Sequence, residues 1–196
     1  MAIRRDRQMT TGPKRKRHLN RSDWLALSIE VLSQEGGAKL NIDHVCHELG
    51  VTKGSFYAHF KNRADFIEKL VTYWAETYTQ SVIDAMNELE NSTAEIRLLA
   101  LMRFLHRNRS GLHDFVIRAW AAQEPLVAKA VRKVDGQRFR YIRQIFHEMG
   151  FRGTELDLRT RIFVVFHSAV ESIRLPSSQS KVDEEIRFMH AFFTRT

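Results

Sequence analysis

Helix breakers are scarce in this chain. Only three prolines and nine glycines interrupt 196 residues, and no segment shows the apolar–polar alternation of a half-buried strand. Proline removes a helical hydrogen bond, and glycine weakens a helix by about 1 kcal/mol relative to alanine. Long stretches lacking both are expected to coil, so the spacing predicts an all-α fold of about nine helices. The length allows one large domain or a small domain joined to a bigger one. With 43% apolar and 28% charged residues, the composition is that of a soluble globular protein. Nothing approaches the ~20 uninterrupted apolar residues of a membrane span, so no membrane partner is expected. The start, MAIRRDRQ, is basic but leads into no apolar stretch, so no secretory signal is expected. The single cysteine, Cys46, excludes an intrachain disulfide and suits a reducing, cytoplasmic setting.

Charge is concentrated at one end. Residues 1–21 hold Arg4, Arg5, Arg7, Lys14, Arg15, Lys16, Arg17 and Arg21 against one acid, Asp6, which is nearly all of the formal net charge of +8. A basic segment with Gly and Pro and no apolar period is expected to be a flexible arm. Such an arm is attracted to a phosphate backbone or an acidic membrane surface, and it serves equally well as a solubilising tail.

Local signals then divide the next fifty residues. Ser22 is a candidate N-cap for a first helix reaching about Glu35, whose apolar side carries Trp24, Leu25, Ile29, Val31 and Leu32 and which Gly36-Gly37 ends. A second helix is expected from about Ile42 to Leu49, capped by Asn41 or Asp43, with Gly50 turning the chain. Thr52 is placed to cap a third helix and Asn62 a fourth. Three short helices with a glycine turn between the last two have the outline of a helix-turn-helix. Val45, Leu49, Val51, Phe56 and Phe60 can close its small core, with Cys46 at the crossing.

The third helix, within GVTKGSFYAHF (residues 50–60), breaks two local rules at its start. Gly54 weakens it, and Lys53 faces the positive end of the helix dipole. Both make sense on a surface that meets DNA. Gly54 lets backbone come close, and Lys53, Ser55, Tyr57 and His59 project away from Phe56 and Phe60 as hydrogen-bond donors suited to a major groove.

The run VCHELGVTKGSFYAHFKNRADFIEKLV, residues 45–71, resembles the DNA-binding region of the TetR family of bacterial transcriptional regulators. GGAKLNIDHV before it and the first helix with Trp24 fit as well, whereas Cys46 stands where alanine is usual. The resemblance is specific over residues 22–71 and architectural beyond about residue 75. It implies a basic arm at 1–21, a three-helix DNA-binding domain at 22–68 and a helical ligand-binding and dimerisation domain at 69–196. It also implies that Thr52, Lys53 and Ser55 meet base edges or phosphates, and that Tyr57 and His59 contact phosphates. Lys61 and Arg63 are within reach of the backbone or simply solvated.

Helices are expected in the second part at 63–89, 95–107, 114–123, 125–149, 155–174 and 182–193, with LPSSQS (175–180) as a loop. The last two are apolar over a wide surface. By resemblance, Ile162, Phe163, Phe166, Val170, Ile186, Met189 and Phe193 belong to a dimer interface. A two-fold dimer sets two reading heads on successive major grooves, so the operator is expected to be a near-palindrome in double-stranded DNA. Trp74, Tyr78, Met102, Phe104, Phe115, Arg118, Trp120 and Phe139 are candidates to line a pocket for a small hydrophobic or anionic ligand.

Catalysis and metal binding find no support. His147-Glu148 is not HExxH, and no GxSxG, Walker loop or GxGxxG occurs. His44, Cys46 and His47 are potential zinc donors, but positions i, i+2 and i+3 of a helix do not share one side. No catalytic residue, metal or cofactor is therefore expected. The expected function is a dimeric, sequence-specific repressor released from its operator by a small ligand. The alternative is a DNA-binding regulator or architectural protein without such a ligand, controlled by a protein partner.

Overall fold

In the computed structural model, residues 19–37, 40–89, 92–108, 110–170 and 179–195 can be described. Ten α-helices run in order among them: α1 (Arg21–Glu35), α2 (Ile42–Leu49), α3 (Lys53–His59), α4 (Arg63–Ala75), α5 (Ser81–Asn87), α6 (Ala94–Arg107), α7 (Ser110–Ala121), α8 (Pro125–Glu148), α9 (Gly153–Ala169) and α10 (Gln179–Thr194). A π-helical turn, Glu76–Gln80, joins α4 to α5 without a break, so the two form one rod and the fold counts as nine helical bodies.

The first four helices begin where a side chain takes over an N–H that the helix leaves unpaired. Asn41 accepts from His44 N, Thr52 from Ser55 N and Asn62 from Asp65 N. The cap of α1 is Asn20, not the expected Ser22. Asn20 accepts from Asp23 N while the Asp23 carboxylate accepts from Asn20 N, a reciprocal box that satisfies two donors at once. Leu19 is buried beside it. The end of the expected arm is thus tied to the head, while residues 1–18 lie outside the described residues.

Gly50 ends α2 in the left-handed region at φ 66°, and its N–H and that of Val51 return to the last turn of α2. The chain then enters α3 with Phe56 and Phe60 turned inward. Their rings meet Trp24 of α1 with centroids 5.8 and 6.0 Å away, and Phe66 of α4 at 5.4 and 5.0 Å. Such edge-on pairs add about 0.5–1.5 kcal/mol each beyond simple burial.

Packing does not stop at residue 68. The core of the head runs on through Leu70, Val71 and Trp74 to Ile117 and Trp120 of α7 and Val127, Val131 and Val134 of α8. A second core gathers Leu98 and Met102 of α6, Ile142 and Phe146 of α8, Phe163 of α9 and Phe193 of α10. Helix α8, 24 residues and about 36 Å long, lends its first half to one core and its second half to the other. Two polar ties add to the junction of head and body: Arg63 pairs with Glu124 at 2.9 Å, and Ser33 Oγ lies 2.9 Å from His113 Nδ1. No helix is long and apolar enough to cross a membrane among the described residues.

Gly36 ends α1, and Gly37 beside it has a packing role. A Cβ there would lie 2.5 Å from the Trp120 ring, and Trp120 is itself buried in the shared core. Gly37→Ala is expected to cost about 1–3 kcal/mol through overpacking, lowering the thermal midpoint by several degrees. Differential scanning calorimetry checks this, and an unchanged midpoint would show that the contact between head and body is slack.

Candidate DNA-reading face and ligand cavity

The buried side of α3 is committed to the aromatic packing, so its other side defines what the helix offers outward. Thr52, Lys53, Gly54, Tyr57 and Lys61 are exposed, whereas Ser55 and His59 are partly covered. The Thr52 hydroxyl oxygen caps the helix at 3.2 Å from Ser55 N, which leaves its O–H to donate outward. Lys53 Nζ rests on Asp43 Oδ1 of α2 at 2.6 Å, both side chains largely in solvent, and this carboxylate raises the lysine's pKa. An exposed pair of this kind is worth little, so the ammonium is easily transferred to another anion. His59 is braced against Trp24, its ring centroid 6.4 Å away. Lys61 donates its backbone N–H to Asp65 and leaves its side chain exposed. Arg63, engaged by Glu124, is less available than expected.

Gly54 is the informative residue on this face. Its backbone is not left-handed, and an added Cβ would meet only Thr52 Oγ1, at an ordinary 3.6 Å. Nothing among the described residues demands glycine at this position.

A cavity lies where the two cores meet, beside the π-helical turn, with a volume of about 60 Å3. Its walls come from the rod (Tyr78, Thr79, Val82, Ile83), α6 (Leu101, Leu105), α7 (Ser110, Asp114), α8 (Arg138, Tyr141, Ile142) and α9 (Phe163, Val164, His167, Ser168). Arg138 organises the polar side. It pairs with buried Asp114 through both guanidinium ends, donates to Thr79 Oγ1 at 2.9 Å and to the Tyr78 carbonyl at 3.2 Å, and lies 5.6 Å from the Trp74 ring centre. Burial lowers the His167 pKa to about 4, with a smaller effect from His106 in the same direction. The imidazole is therefore neutral near pH 7.

Of the eight residues expected around a ligand, only Tyr78 lines this cavity. Trp74, Met102 and Trp120 are buried in the cores, Phe104 packs half-buried on the second core, Phe115 is exposed and Phe139 is half-buried elsewhere on α8. Arg118 is held by Asp135 and reaches only the hydroxyl of the lining residue Ser168, at 3.3 Å. The organising pair, Asp114 and Arg138, was not anticipated. Its partners are 24 residues apart, and no local spacing signals them.

The expected dimer residues also separate. Phe163 and Phe193 are buried at 2% and 1% exposure in the chain's own second core, and Ile186 and Met189 pack against that core. Ile162, Phe166 and Val170 do face outward, joined by Leu158 and Val165 of α9 and by Phe188 and Phe192 of α10, with Phe188 73% exposed. Arg159 fixes the end of α10 by donating to the carbonyls of Phe192, Phe193 and Arg195. The three candidate zinc donors are not brought together, since Cys46 is buried and His47 turns to Glu48. Glu35, His44 and Glu48 do place one donor atom each within 4.8 Å, with His44 bonded to Glu35.

A three-helix head of this geometry, continuous with a larger helical body, has the architecture of a helix-turn-helix protein. The head matches the family model described as bacterial regulatory proteins, tetR family, over residues 25–70. It is also similar to the transcriptional regulator AcuR of Cereibacter sphaeroides, with 37% identity over 60 residues, or 29% of this chain and 27% of that one. The whole fold is similar to a TetR-family regulator from Rhodococcus sp. with a TM-score of 0.67 at 17% identity, covering 89% of this chain and 99% of that one. It is equally similar to AibR, solved with isovaleryl coenzyme A and operator DNA, at a TM-score of 0.68 and 13% identity, covering 90% of this chain and all of that one. The match to that family thus covers the head, and over the rest of the chain the likeness is one of fold.

His167 gives the fold a pH signature. Its pKa is about 4 when folded against 6.5 when free, so the unfolded chain binds the extra proton first. The stability linked to His167 is complete above pH 6.5 and is lost as pH falls towards 4. Urea titrations across that interval are expected to show the decline, and His167→Phe is expected to flatten it relative to the parent. An unaltered slope would place the titration on other groups.

Proposed function

We propose that this protein is a dimeric, sequence-specific transcriptional repressor that a small ligand releases from a near-palindromic operator. It acts in the cytoplasm, where bacterial DNA is found. The observation that carries the DNA reading is Gly54, a glycine in the first turn of an exposed helix that no contact among the described residues and no backbone angle requires. An external surface that must come close to the backbone supplies the reason. Around it, Thr52, Lys53 and Ser55 meet bases or nearby phosphates, and Tyr57, His59 and Lys61 hold the backbone. Phosphate contacts set position while base contacts set preference. The basic residues between Arg4 and Arg17 add phosphate attraction.

A second copy of the chain covers the outward apolar face of α9 and α10. Ile162, Val165, Phe166 and Phe188 form too broad an apolar surface to be left in water. A two-fold pairing there puts the heads on successive major grooves. Occupancy of the cavity reaches the heads through the rod, because Tyr78 and Thr79 line the cavity at the joint between α4, which packs on the head, and α5. Ligand and DNA then oppose each other reciprocally.

Selection of bound genomic fragments with purified protein, followed by footprinting, tests specificity and half-site symmetry together. Failure to enrich any sequence would overturn the reading. Gly54→Ala is expected to leave stability unchanged or raise it by up to about 1 kcal/mol, yet to weaken operator binding at least ten-fold. Equal binding by this variant would remove the main support for the DNA face. His59→Ala should weaken all DNA alike, whereas Lys53→Ala should also change sequence preference. Val165→Glu is expected to convert the dimer to monomer in analytical ultracentrifugation and to lose cooperative operator binding.

A further inference from the structure

An ion pair joins the two helices of the reading motif on its outer face. Asp43 stands in the first turn of α2 and Lys53 opens α3. The Lys53 ammonium rests 2.6 Å from Asp43 Oδ1, with the lysine side chain 63% and the aspartate side chain 68% exposed. Asn41 caps α2 by accepting from His44 N, so the helix does not need the Asp43 carboxylate as its cap. An acid on a surface that meets DNA is repelled by the phosphates within reach, and general affinity comes from charge of the opposite sign. The place of Asp43 is explained by what it does to Lys53.

An ammonium carries three donors and no acceptor. With one donor on Asp43, two remain for the groove. Guanine offers N7 and O6 as neutral acceptors on its major-groove edge, and lysine is a common partner for them. Lys53 can take that edge and keep Asp43, because a neutral acceptor does not contest the charge. A phosphate does contest it. If Lys53 stays on the carboxylate while meeting a phosphate, two anions share one cation and repel each other across it. If it leaves, the carboxylate stands unpaired beside the backbone. Parting from Asp43 costs little in itself, since both groups are in solvent. The penalty lies in the acid left near the phosphates. Binding to random sequence consists almost wholly of phosphate contacts, whereas base contacts discriminate sequence. The penalty therefore falls mainly on random DNA. The hydrogen bond to Asp43 also raises the lysine's pKa, so the group remains a cation.

We propose that Asp43 is a specificity-determining residue: it withholds the Lys53 ammonium from phosphates on random DNA and leaves it free to donate to a guanine edge in the operator. This rests on the DNA-reading face proposed above, and it adds an acid from the supporting helix α2 to the donors on α3.

Fluorescence anisotropy over a range of salt, with the selected operator and a random duplex, compares four full-length proteins: the parent, Asp43→Asn, Lys53→Met and the double variant. Asp43→Asn is expected to raise affinity for the random duplex about two- to five-fold, the range that an exposed ion pair supplies. Operator affinity should change by less, so the ratio of the two falls. The slope of log K against log salt for the random duplex should steepen by about 0.9, the value of one further phosphate contact. In the Lys53→Met background, the same change at Asp43 should move both duplexes together and leave ratio and slope unaltered. Thermal midpoints confirm that all four proteins are folded. A fall in the ratio of equal size with and without Lys53 would overturn the proposal, because the carboxylate then acts alone. A parent that prefers its operator while Asp43→Asn keeps the same ratio would overturn this inference only. A parent that prefers no sequence would overturn the DNA reading and this inference with it.

Discussion

The structure turns on the packing of Trp24, Phe56, Phe60 and Phe66. Helix α3 has only seven residues, far fewer than an isolated helix needs to persist in water. It holds its shape because two of its rings are clamped between an indole on α1 and a phenyl on α4. The cost of losing one such ring from a filled core is about 3–5 kcal/mol, a large share of the stability of an ordinary domain. Committing the inner side of α3 so fully is what leaves the outer side free of structural duty. Lys53, Gly54 and Tyr57 can then be chosen for what they meet outside the chain.

The same core explains why the head is not a separate body. It passes without interruption from Phe56 through Leu70 and Trp74 to Trp120 and Val131. The orientation of α3 is therefore set partly by α7 and α8, and Gly37 shows how close the approach is, with no room for a methyl group against Trp120. A head packed this way follows the body when the body changes.

How much of this was legible in the sequence depended on the range of the signal. Local signals were read correctly where one residue type answers one need: Gly50 in the left-handed turn and Thr52 and Asn62 at helix starts, while of the two candidates at the second helix the structure uses Asn41 and not Asp43. The cap of α1 was misplaced because Ser22 and Asn20 are both good caps, and only Asp23, three residues after Asn20, distinguishes them. The π-helical turn at ETYTQ has no breaker to announce it. The lining of this cavity differs from the expected residues for a deeper reason. Large aromatics at helical spacing were expected to surround a ligand, but bulky rings such as Trp74 and Trp120 fill space and become core. Space is left where medium-sized side chains meet a polar pair, and that pair, Asp114 with Arg138, is assembled only by folding. Likewise, α9 and α10 are apolar on two sides, and periodicity alone cannot assign Phe163 inward and Phe166 outward.

Arg138 then acquires a role that neither core alone would give it. One guanidinium ties α8 to Asp114 on α7 and to Thr79 and the Tyr78 carbonyl within the π-helical turn. A π turn shifts the helical hydrogen-bond register by one residue, and here the Ser81 hydroxyl also reaches back five residues to the Glu76 carbonyl at 2.9 Å. The rod is thus least regular where it touches the cavity, and it is pinned there by a side chain from the opposite wall. A buried ion pair contributes little net stability but is costly to break from one side, which suits a group that must hold one geometry rather than add to folding. The cavity lies directly against this pin, so whatever fills it meets the rod at its π turn. Helix α4, at one end of the rod, carries Phe66, which packs on Phe56 and Phe60 of α3. Typical coupling energies of 1–3 kcal/mol are within the range that repacking a few such side chains supplies.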